Sequence, residues 1–249
     1  MKFIETKKKP KFFKFCRNII AFFYGKKTFE NIENMPETPS IYIANHSQMH
    51  GPLMCELYFP SKKLIWCIGQ MMHKKEVPAY AYQDFWSMKP KGTRWFYKIL
   101  AHIIAPFASY AMFHGDSIGV YRDARILNTF KETISALNEG INVVIFPEGR
   151  EKYNEIVNDF QDKFIDAARL YYSKHHQCIS FVPIYICPKF KKAYFGKPIK
   201  YDPNIEISEQ RKIICDYLKE EITRLAKELP VHRVVPYDNI PKRKYPRSK

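Results

Sequence analysis

Short, nearly continuous apolar runs alternate with helix-like segments along most of the 249 residues. Such runs are typical of strands that are buried on both faces, and their alternation with helices predicts a parallel sheet covered by helices. The predicted fold class is therefore α/β, with a mainly parallel central sheet flanked by helices. The strand candidates are residues 40–44, 63–69, 117–121, 142–146, 179–186 and 192–199.

Helices are predicted from apolar residues at helical spacing. The helix candidates are residues 51–59, 124–139, 160–173 and 208–229. The most apolar segment, residues 95–113, is interrupted by Lys98, His102 and Pro106. We expect it to form a buried helix pair or a hairpin that dips into a membrane. Because no uncharged apolar run reaches about 18 residues, the chain is expected to lie on a membrane and not to cross it.

The N-terminal residues combine lysines and aromatic side chains at helical spacing. This composition predicts an amphipathic membrane-binding helix, so residues 1–30 are expected to be a basic, aromatic anchoring segment. The alternative is an ordinary helix that packs on the core. Residues 31–235 are expected to form one folded domain, and residues 236–249 a mobile basic tail.

Lysine and arginine outnumber the acidic residues 41 to 25, which gives a formal charge of +16. This excess predicts a polyanionic partner, and an aromatic content of 16% favours an anionic membrane surface over nucleic acid. The six cysteines contain no C-x-x-C pair, so we expect reduced thiols and neither disulfides nor a zinc site. His46 and His50 are spaced to share a helix face, but no third ligand is evident, and no metal is predicted.

Three groups of polar residues each follow a predicted strand: Asn45-His46, Arg122 and residues 147–150. Loops at the carboxyl ends of parallel strands gather in one crevice, so these groups are expected to form one site. Imidazole can accept a proton near neutral pH, which makes His46 a candidate general base. A buried histidine bonded to backbone is the alternative for that residue.

The remaining residues of the predicted site suit a phosphorylated ligand. Arg122 and Arg150 can grip a phosphate in fork geometry, although Arg122 could instead pair with a neighbouring aspartate on the surface. Pro147 stiffens the turn, and Gly149 allows backbone to approach a ligand closely. Glu148 is expected to orient an arginine or to accept a hydrogen bond from a substrate hydroxyl.

These residues and their order resemble the glycerolipid (lysophospholipid) acyltransferase family. Asn45-His46 matches the first half of the family's catalytic block, and residues 118–122 resemble the second block, which ends in an arginine. Residues 146–149 match the third block, which is the most specific, and residues 182–184 match the fourth. The resemblance covers roughly residues 38 to 229.

The resemblance implies acyl transfer from a coenzyme A or acyl-carrier-protein thioester to a lysophospholipid hydroxyl, in the first instance 1-acylglycerol-3-phosphate. It makes residues 31–235 an acyltransferase domain that needs no cofactor besides the thioester co-substrate. It places the enzyme on the cytoplasmic face of the cell membrane, as a peripheral or monotopic protein. The site residues it implies are the catalytic pair His46 and Asn45 and the substrate- or phosphate-binding Arg122, Phe146, Pro147, Glu148, Gly149 and Arg150.

The sequence departs from the family at Gly51, where an aspartate usually orients the histidine. Losing such a carboxylate costs about four orders of magnitude in rate in serine proteases. The sequence therefore leaves open a substitute group, weak activity, or a non-catalytic or altered-specificity lipid-binding protein. The candidate substitutes are His50, Glu56, Asp84 and Asp116. Arg150 is a second departure, since the family more often has threonine there.

Overall fold

A computed structural model describes residues 9–86 and 90–249, with the side chains of Asp84 and Phe85 outside the description. The first eight residues of the predicted anchoring segment also lie outside it. The strands are β1 Thr28–Glu30, β2 Ile41–Ala44, β3 Lys63–Ile68, β4 Ser117–Val120, β5 Asn142–Ile145, β6 Glu148–Lys152, β7 Asn158–Phe160, β8 Ser180–Cys187, β9 Lys192–Phe195 and β10 Ile199–Lys200. The α-helices are α1 Lys11–Tyr24, α2 His50–Tyr58, α3 Val77–Ala81, α4 Arg94–His114, α5 Ile126–Asn138, α6 Asp166–His175 and α7 Ile207–Glu228.

The main sheet of the described chain has the strand order β1-β9-β8-β2-β5-β3-β4, with β10 beside β8. The five strands from β8 to β4 are mutually parallel, whereas β9 and β10 run antiparallel to β8. A separate antiparallel hairpin joins β6 and β7. The predicted α/β class with a mainly parallel sheet is confirmed.

The sheet is covered by helices on both faces. Strand β2 is buried throughout, and its residues alternate between two apolar clusters. Ile41 and Ile43 face the cluster that includes α5, α6 and α7, whereas Tyr42 and Ala44 face the cluster that includes α2. This two-residue alternation explains why the strand reads as a continuous apolar run. It also fixes the direction of the loop that follows.

Two predicted elements differ from the observed ones near the edges of the sheet. The helix expected over residues 160–173 begins only at Asp166, because Phe160 belongs to β7 and pairs with Glu148. The strand expected over residues 192–199 is divided into β9 and β10. The second break falls on Gly196-Lys197-Pro198, where glycine and proline disfavour a strand.

The apolar segment expected to form a helix pair or hairpin is one continuous helix, α4, which includes Pro106. Neither a helix pair nor a hairpin is observed, and the helix is only partly buried, since Trp95 and Phe107 are 65% and 66% exposed. In the described chain, Lys91–His114 is long and apolar enough to cross a membrane by length and composition alone.

Residues 230–249, the C-terminal segment, pack against the domain, and they include residues 236–249, which were expected to form a mobile basic tail. Val234 N donates to Pro246 O at 2.9 Å, and Ser248 N donates to His232 O at 3.0 Å. The hydroxyl of Tyr185 on β8 lies 2.7 Å from His232 Nε2. Because Val234 and Ser248 are 1% exposed, the segment has its own buried contacts.

Candidate active site

A left-handed turn follows β2 and places the candidate base. Ser47 and Gln48 have φ values of 47° and 54°, a region that few residues other than glycine occupy. The turn brings Gly51 N to His46 O at 3.1 Å, so α2 begins only at His50. Asn45 therefore lies outside that helix, whose N-cap is Met49.

The turn directs a backbone carbonyl at the His46 ring. His46 Nδ1 lies 2.5 Å from the carbonyl oxygen of Gln48. A carbonyl can only accept a hydrogen bond, so this contact requires the proton on Nδ1. The ring is packed between Phe146 and Tyr237, with centroid distances of 5.3 Å and 5.6 Å. The other ring nitrogen, Nε2, is then the one that carries the lone pair.

Asn45 is buried and holds the loop to the neighbouring strand. Its Oδ1 accepts a hydrogen bond from Ile186 N at 2.6 Å, and its Nδ2 donates to Ile186 O at 3.2 Å and to Ser47 Oγ at 3.1 Å. With 1% exposure, Asn45 can position the loop but cannot reach a substrate. The described contacts of Asn45 are those of a residue that positions the His46 loop.

Glu148 joins the β5–β6 turn to the same loop. One carboxylate oxygen accepts from His46 N at 2.5 Å, and the other accepts from Asn158 N at 2.8 Å. Burial raises the pKa of Glu148 to about 7, with a further increase from the Asp238 carboxylate and a decrease from the two N–H groups. Both oxygens serve backbone donors, so the described contacts do not include the predicted arginine.

Hydrogen bonds also hold the backbone of the other residues in the β5–β6 turn. Pro147 is buried, and its carbonyl oxygen accepts from Gln161 N at 2.9 Å. The Gly149 carbonyl oxygen accepts from Asn158 Nδ2 at 2.9 Å. A Cβ on Gly149 would make only ordinary contacts, so close packing of protein atoms does not explain this glycine.

The two predicted phosphate-binding arginines are exposed, and within the described residues they form no ion pair. Asp123, the expected surface partner of Arg122, is instead bonded to Arg125 at 2.8 Å. Asp116 is bonded to Lys63 at 2.8 Å. Arg122 and Arg150 are therefore left with charges that no described carboxylate neutralises.

The strand order determines how close these groups lie. β2 and β5 are neighbours, so His46 and residues 146–149 are in direct contact. β4 lies three strand spacings from β2, or about 14 Å across the sheet. Arg122 thus lies at the same carboxyl edge as His46, but three strands away.

Gly51 leaves no room for the family's aspartate. A Cβ at this position would lie 2.5 Å from His46 O, 2.8 Å from the Phe146 ring and 3.0 Å from Asn45 O. Backbone oxygens cannot move aside as a flexible side chain can. The absence of a side chain at position 51 is therefore required by this loop.

The candidate substitutes for the aspartate have other partners. Glu56 and Asp116 both bind Lys63, the first residue of β3, at the amino edge of the sheet. His50 Nδ1 lies 3.3 Å from the hydroxyl of Tyr24. The side chain of Asp84 lies outside the described residues. Among the described contacts, His46 Nδ1 lies 2.5 Å from the Gln48 carbonyl oxygen, a contact that no pattern of side chains could have indicated.

The C-terminal segment contacts the turn that follows His46, and no sequence pattern indicated these contacts. Gln48 Nε2 donates to Asp238 O at 3.2 Å and to the Tyr245 hydroxyl at 3.1 Å. Ser47 Oγ donates to Val235 O at 3.3 Å. Contacts between residues about 190 positions apart have no local signal. No cluster of three metal-ligating side chains occurs among the described residues.

Comparison with known families gives one match. The family described as "Acyltransferase" matches residues 26–188, which is well over half of the chain. No curated protein matches significantly. Among solved structures, the chain is similar to the crystal structure of the 1-acyl-sn-glycerophosphate (LPA) acyltransferase PlsC from Thermotoga maritima. The identity is 18%, the TM-score is 0.49, and the match covers 86% of this chain and 77% of that chain.

The matched region contains the left-handed turn with His46, the strand β4 that precedes Arg122, and the β5–β6 turn with Glu148. The family match confirms the prediction of an acyltransferase. The chain therefore belongs to the acyltransferase family.

Proposed function

We propose that this acyltransferase moves a fatty acyl group from a coenzyme A or acyl-carrier-protein thioester to the hydroxyl of a lysophospholipid, with 1-acylglycerol-3-phosphate as the preferred acceptor. His46 Nε2 takes the proton of the acceptor hydroxyl while its oxygen attacks the thioester carbonyl. The carbon–sulfur bond then breaks, and the departing thiolate takes the proton from the imidazolium. No acyl-enzyme forms, and no cofactor is needed.

One observation carries this proposal: an imidazole with its Nδ1 on a carbonyl shares a sheet edge with two exposed arginines that have no described ion pair. A phosphomonoester is the ligand that two arginine forks bind best. A phosphate held between Arg122 and Arg150 would bring a glycerol hydroxyl toward His46 across the β5–β6 turn. A neutral acceptor would leave both arginines unused.

A membrane-facing surface is also part of the proposal. Phe22 and Phe23 on α1 are 80% and 82% exposed, and Trp95 and Phe107 on α4 are exposed as well. The two helices meet where the rings of Phe12 and Tyr110 lie 5.7 Å apart. An apolar surface of this kind, on a chain of charge +16, suits an anionic bilayer.

The end of α1 lies beside the candidate site. The hydroxyl of Tyr24, the last residue of α1, donates to His50 O at 3.1 Å, and His50 is four residues from His46. We propose that α1 and α4 form a peripheral or monotopic anchor that holds the candidate site against the cytoplasmic leaflet. A lysophospholipid could then present its headgroup to the arginines while its acyl chain remains in the bilayer.

The activity is tested with purified full-length protein, labelled acyl-coenzyme A or acyl-carrier protein, and a panel of lysolipids in vesicles. We expect transfer to be fastest with lysophosphatidate, and His46→Ala to lower kcat by about a thousandfold. His176→Asn is the matched control, because His176 is exposed, caps α6 with φ 52° and lies away from the cleft. Wild-type turnover by His46→Ala would contradict the proposed base. Binding of lysolipid without transfer would support the non-catalytic alternative.

Membrane association is tested separately by flotation with anionic vesicles. Replacing Phe22 and Phe23 with serine removes two exposed rings from α1, and we expect it to weaken vesicle binding by about tenfold. Activity toward a short-chain, water-soluble acceptor should be unchanged. Equal flotation of the variant and wild type would show that these side chains do not anchor the protein.

A further inference from the structure

We propose that the backbone carbonyl of Gln48, held in place by the C-terminal segment, orients His46 in place of the carboxylate that the family usually supplies. This inference rests on the proposed role of His46 as a base. Three observations support it: the direction of the carbonyl, the lack of room at Gly51, and the hydrogen bonds that fix the Gln48 side chain.

The carbonyl is directed by an unusual backbone. Two successive residues, Ser47 and Gln48, have positive φ, and neither is glycine. Such conformations are unfavourable and persist only where surrounding contacts impose them. Here the turn returns the chain toward β2, which aims the Gln48 oxygen at His46 Nδ1. The strained turn therefore favours the tautomer of His46 that carries its proton on Nδ1.

The C-terminal segment supplies the contacts that hold the turn. The Gln48 amide donates to Asp238 O and Tyr245 Oη, and the Tyr245 hydroxyl donates to Gln48 Oε1 at 3.3 Å. The Ser47 hydroxyl reaches Val235 O from the other side of the turn. Both strained residues are thus bonded to the same segment, which itself packs on β8 through His232. Gln48 and Tyr245 are positioning residues that act through His46.

A carbonyl can replace a carboxylate only in part. Both accept the Nδ1 proton and so keep the lone pair on Nε2, but the carbonyl has no full charge with which to stabilise the imidazolium. The substitution therefore keeps the tautomer and orientation of the base.

Two substitutions remove the support and leave the ring in place. Gln48→Gly accepts the positive φ but has no amide to bind the C-terminal segment. Tyr245→Phe removes the hydroxyl alone. We expect kcat to fall about tenfold in the first and about fivefold in the second, with the acceptor KM within about twofold of wild type. Tyr217→Phe is the matched control, because it removes a tyrosine hydroxyl bonded to Lys197 O at 3.0 Å on another surface.

The tautomer of His46 gives a readout that a general loss of stability would not produce. Nitrogen-15 NMR of histidine-labelled protein distinguishes the protonated ring nitrogen from the bare one, and the His46→Ala spectrum identifies the signals of this residue. At a pH where the ring is neutral, wild type should carry the proton on Nδ1. Gln48→Gly and Tyr245→Phe should show a mixture of tautomers.

The outcomes separate this inference from the proposed function. A wild-type ring protonated on Nε2, or wild-type kcat and tautomer in both variants, would overturn the role of Gln48 while His46→Ala remained inactive. Full activity of His46→Ala would instead overturn the base itself. Lower kcat together with tautomer mixing in both variants, and neither change in Tyr217→Phe, would support the inference.

Discussion

The two edges of the central sheet use the same kinds of charge in opposite ways. At the amino edge, the Lys63 ammonium is 5% exposed and lies 2.7 Å from Glu56 and 2.8 Å from Asp116. At the carboxyl edge, Arg122 and Arg150 are exposed, and the described residues place no carboxylate on either. At the amino edge the charges form ion pairs that stabilise the fold. At the carboxyl edge the two arginine charges are available to a ligand.

The largest effect is expected from restoring the family's aspartate at the carboxyl edge. In Gly51→Asp, a Cβ 2.5 Å from His46 O forces the loop apart and places a carboxylate in a buried site. We expect about 4 kcal/mol of destabilisation and loss of activity. Chemical denaturation measures the first and the acyl-transfer assay the second. The outcome distinguishes two explanations of Gly51. Either the chain has lost a catalytic aspartate there, or the loop has no room for any side chain.

Gly92→Ala is the control for that experiment, because a Cβ on Gly92 meets nothing within 4 Å. Its stability should stay within about 0.5 kcal/mol of wild type. A Gly51→Asp protein that folds normally and is faster than wild type would contradict the packing account. It would show that the loop can reform around a carboxylate.

The next largest effect is a pH dependence of stability that comes from Glu148. Unlike the two exposed arginines at the carboxyl edge, its carboxyl group is buried. Its pKa is about 7 in the folded protein and near 4.5 when unfolded, so the folded state binds more protons between these values. This contribution to stability is complete below pH 4.5 and is lost as pH rises to about 7. We expect a loss of about 3 kcal/mol across that window.

Denaturation curves of wild type and Glu148→Gln at several pH values measure that loss. The variant should be less stable at low pH, since its amide cannot accept both backbone N–H groups, and its stability should depend less on pH over the same window. Parallel pH profiles for the two proteins would show that Glu148 is ionised in the folded state throughout.

At the amino edge, Lys63→Met breaks the ion-pair network and leaves Glu56 and Asp116 without their buried partner. Because those carboxylates are 21% and 31% exposed, we expect only about 2 kcal/mol of destabilisation. Activity per folded molecule should be unchanged. A large fall in kcat without loss of stability would contradict the account, in which the amino edge stabilises the fold and only the carboxyl edge serves catalysis.

The smallest effect on stability is expected at the carboxyl-edge arginines. Arg150→Ala and Arg122→Ala should each change stability by less than about 0.5 kcal/mol, because the described structure gives them no ion pair. The KM for lysophosphatidate should rise about tenfold in each, and lysine at either position should restore only part of it. An unchanged KM in both variants would place the phosphate elsewhere.

The sheet and the order of the site loops could be predicted because burial on both faces leaves a local signal. The residues of β2 and β5 read as apolar runs, and His46 and Glu148 follow them directly. The turn at Gln48 left no such signal, since positive φ in residues other than glycine is imposed by distant contacts. The packing of Tyr245 on that turn joins positions that nothing in the sequence relates.

The most direct test of the central claim is a crystal structure of the wild-type protein with lysophosphatidate bound and no acyl donor present. The account predicts the phosphate between Arg122 and Arg150, and the free glycerol hydroxyl within about 3 Å of His46 Nε2. A lysophosphatidate whose phosphate contacts neither arginine, or whose hydroxyl points away from His46, would contradict it.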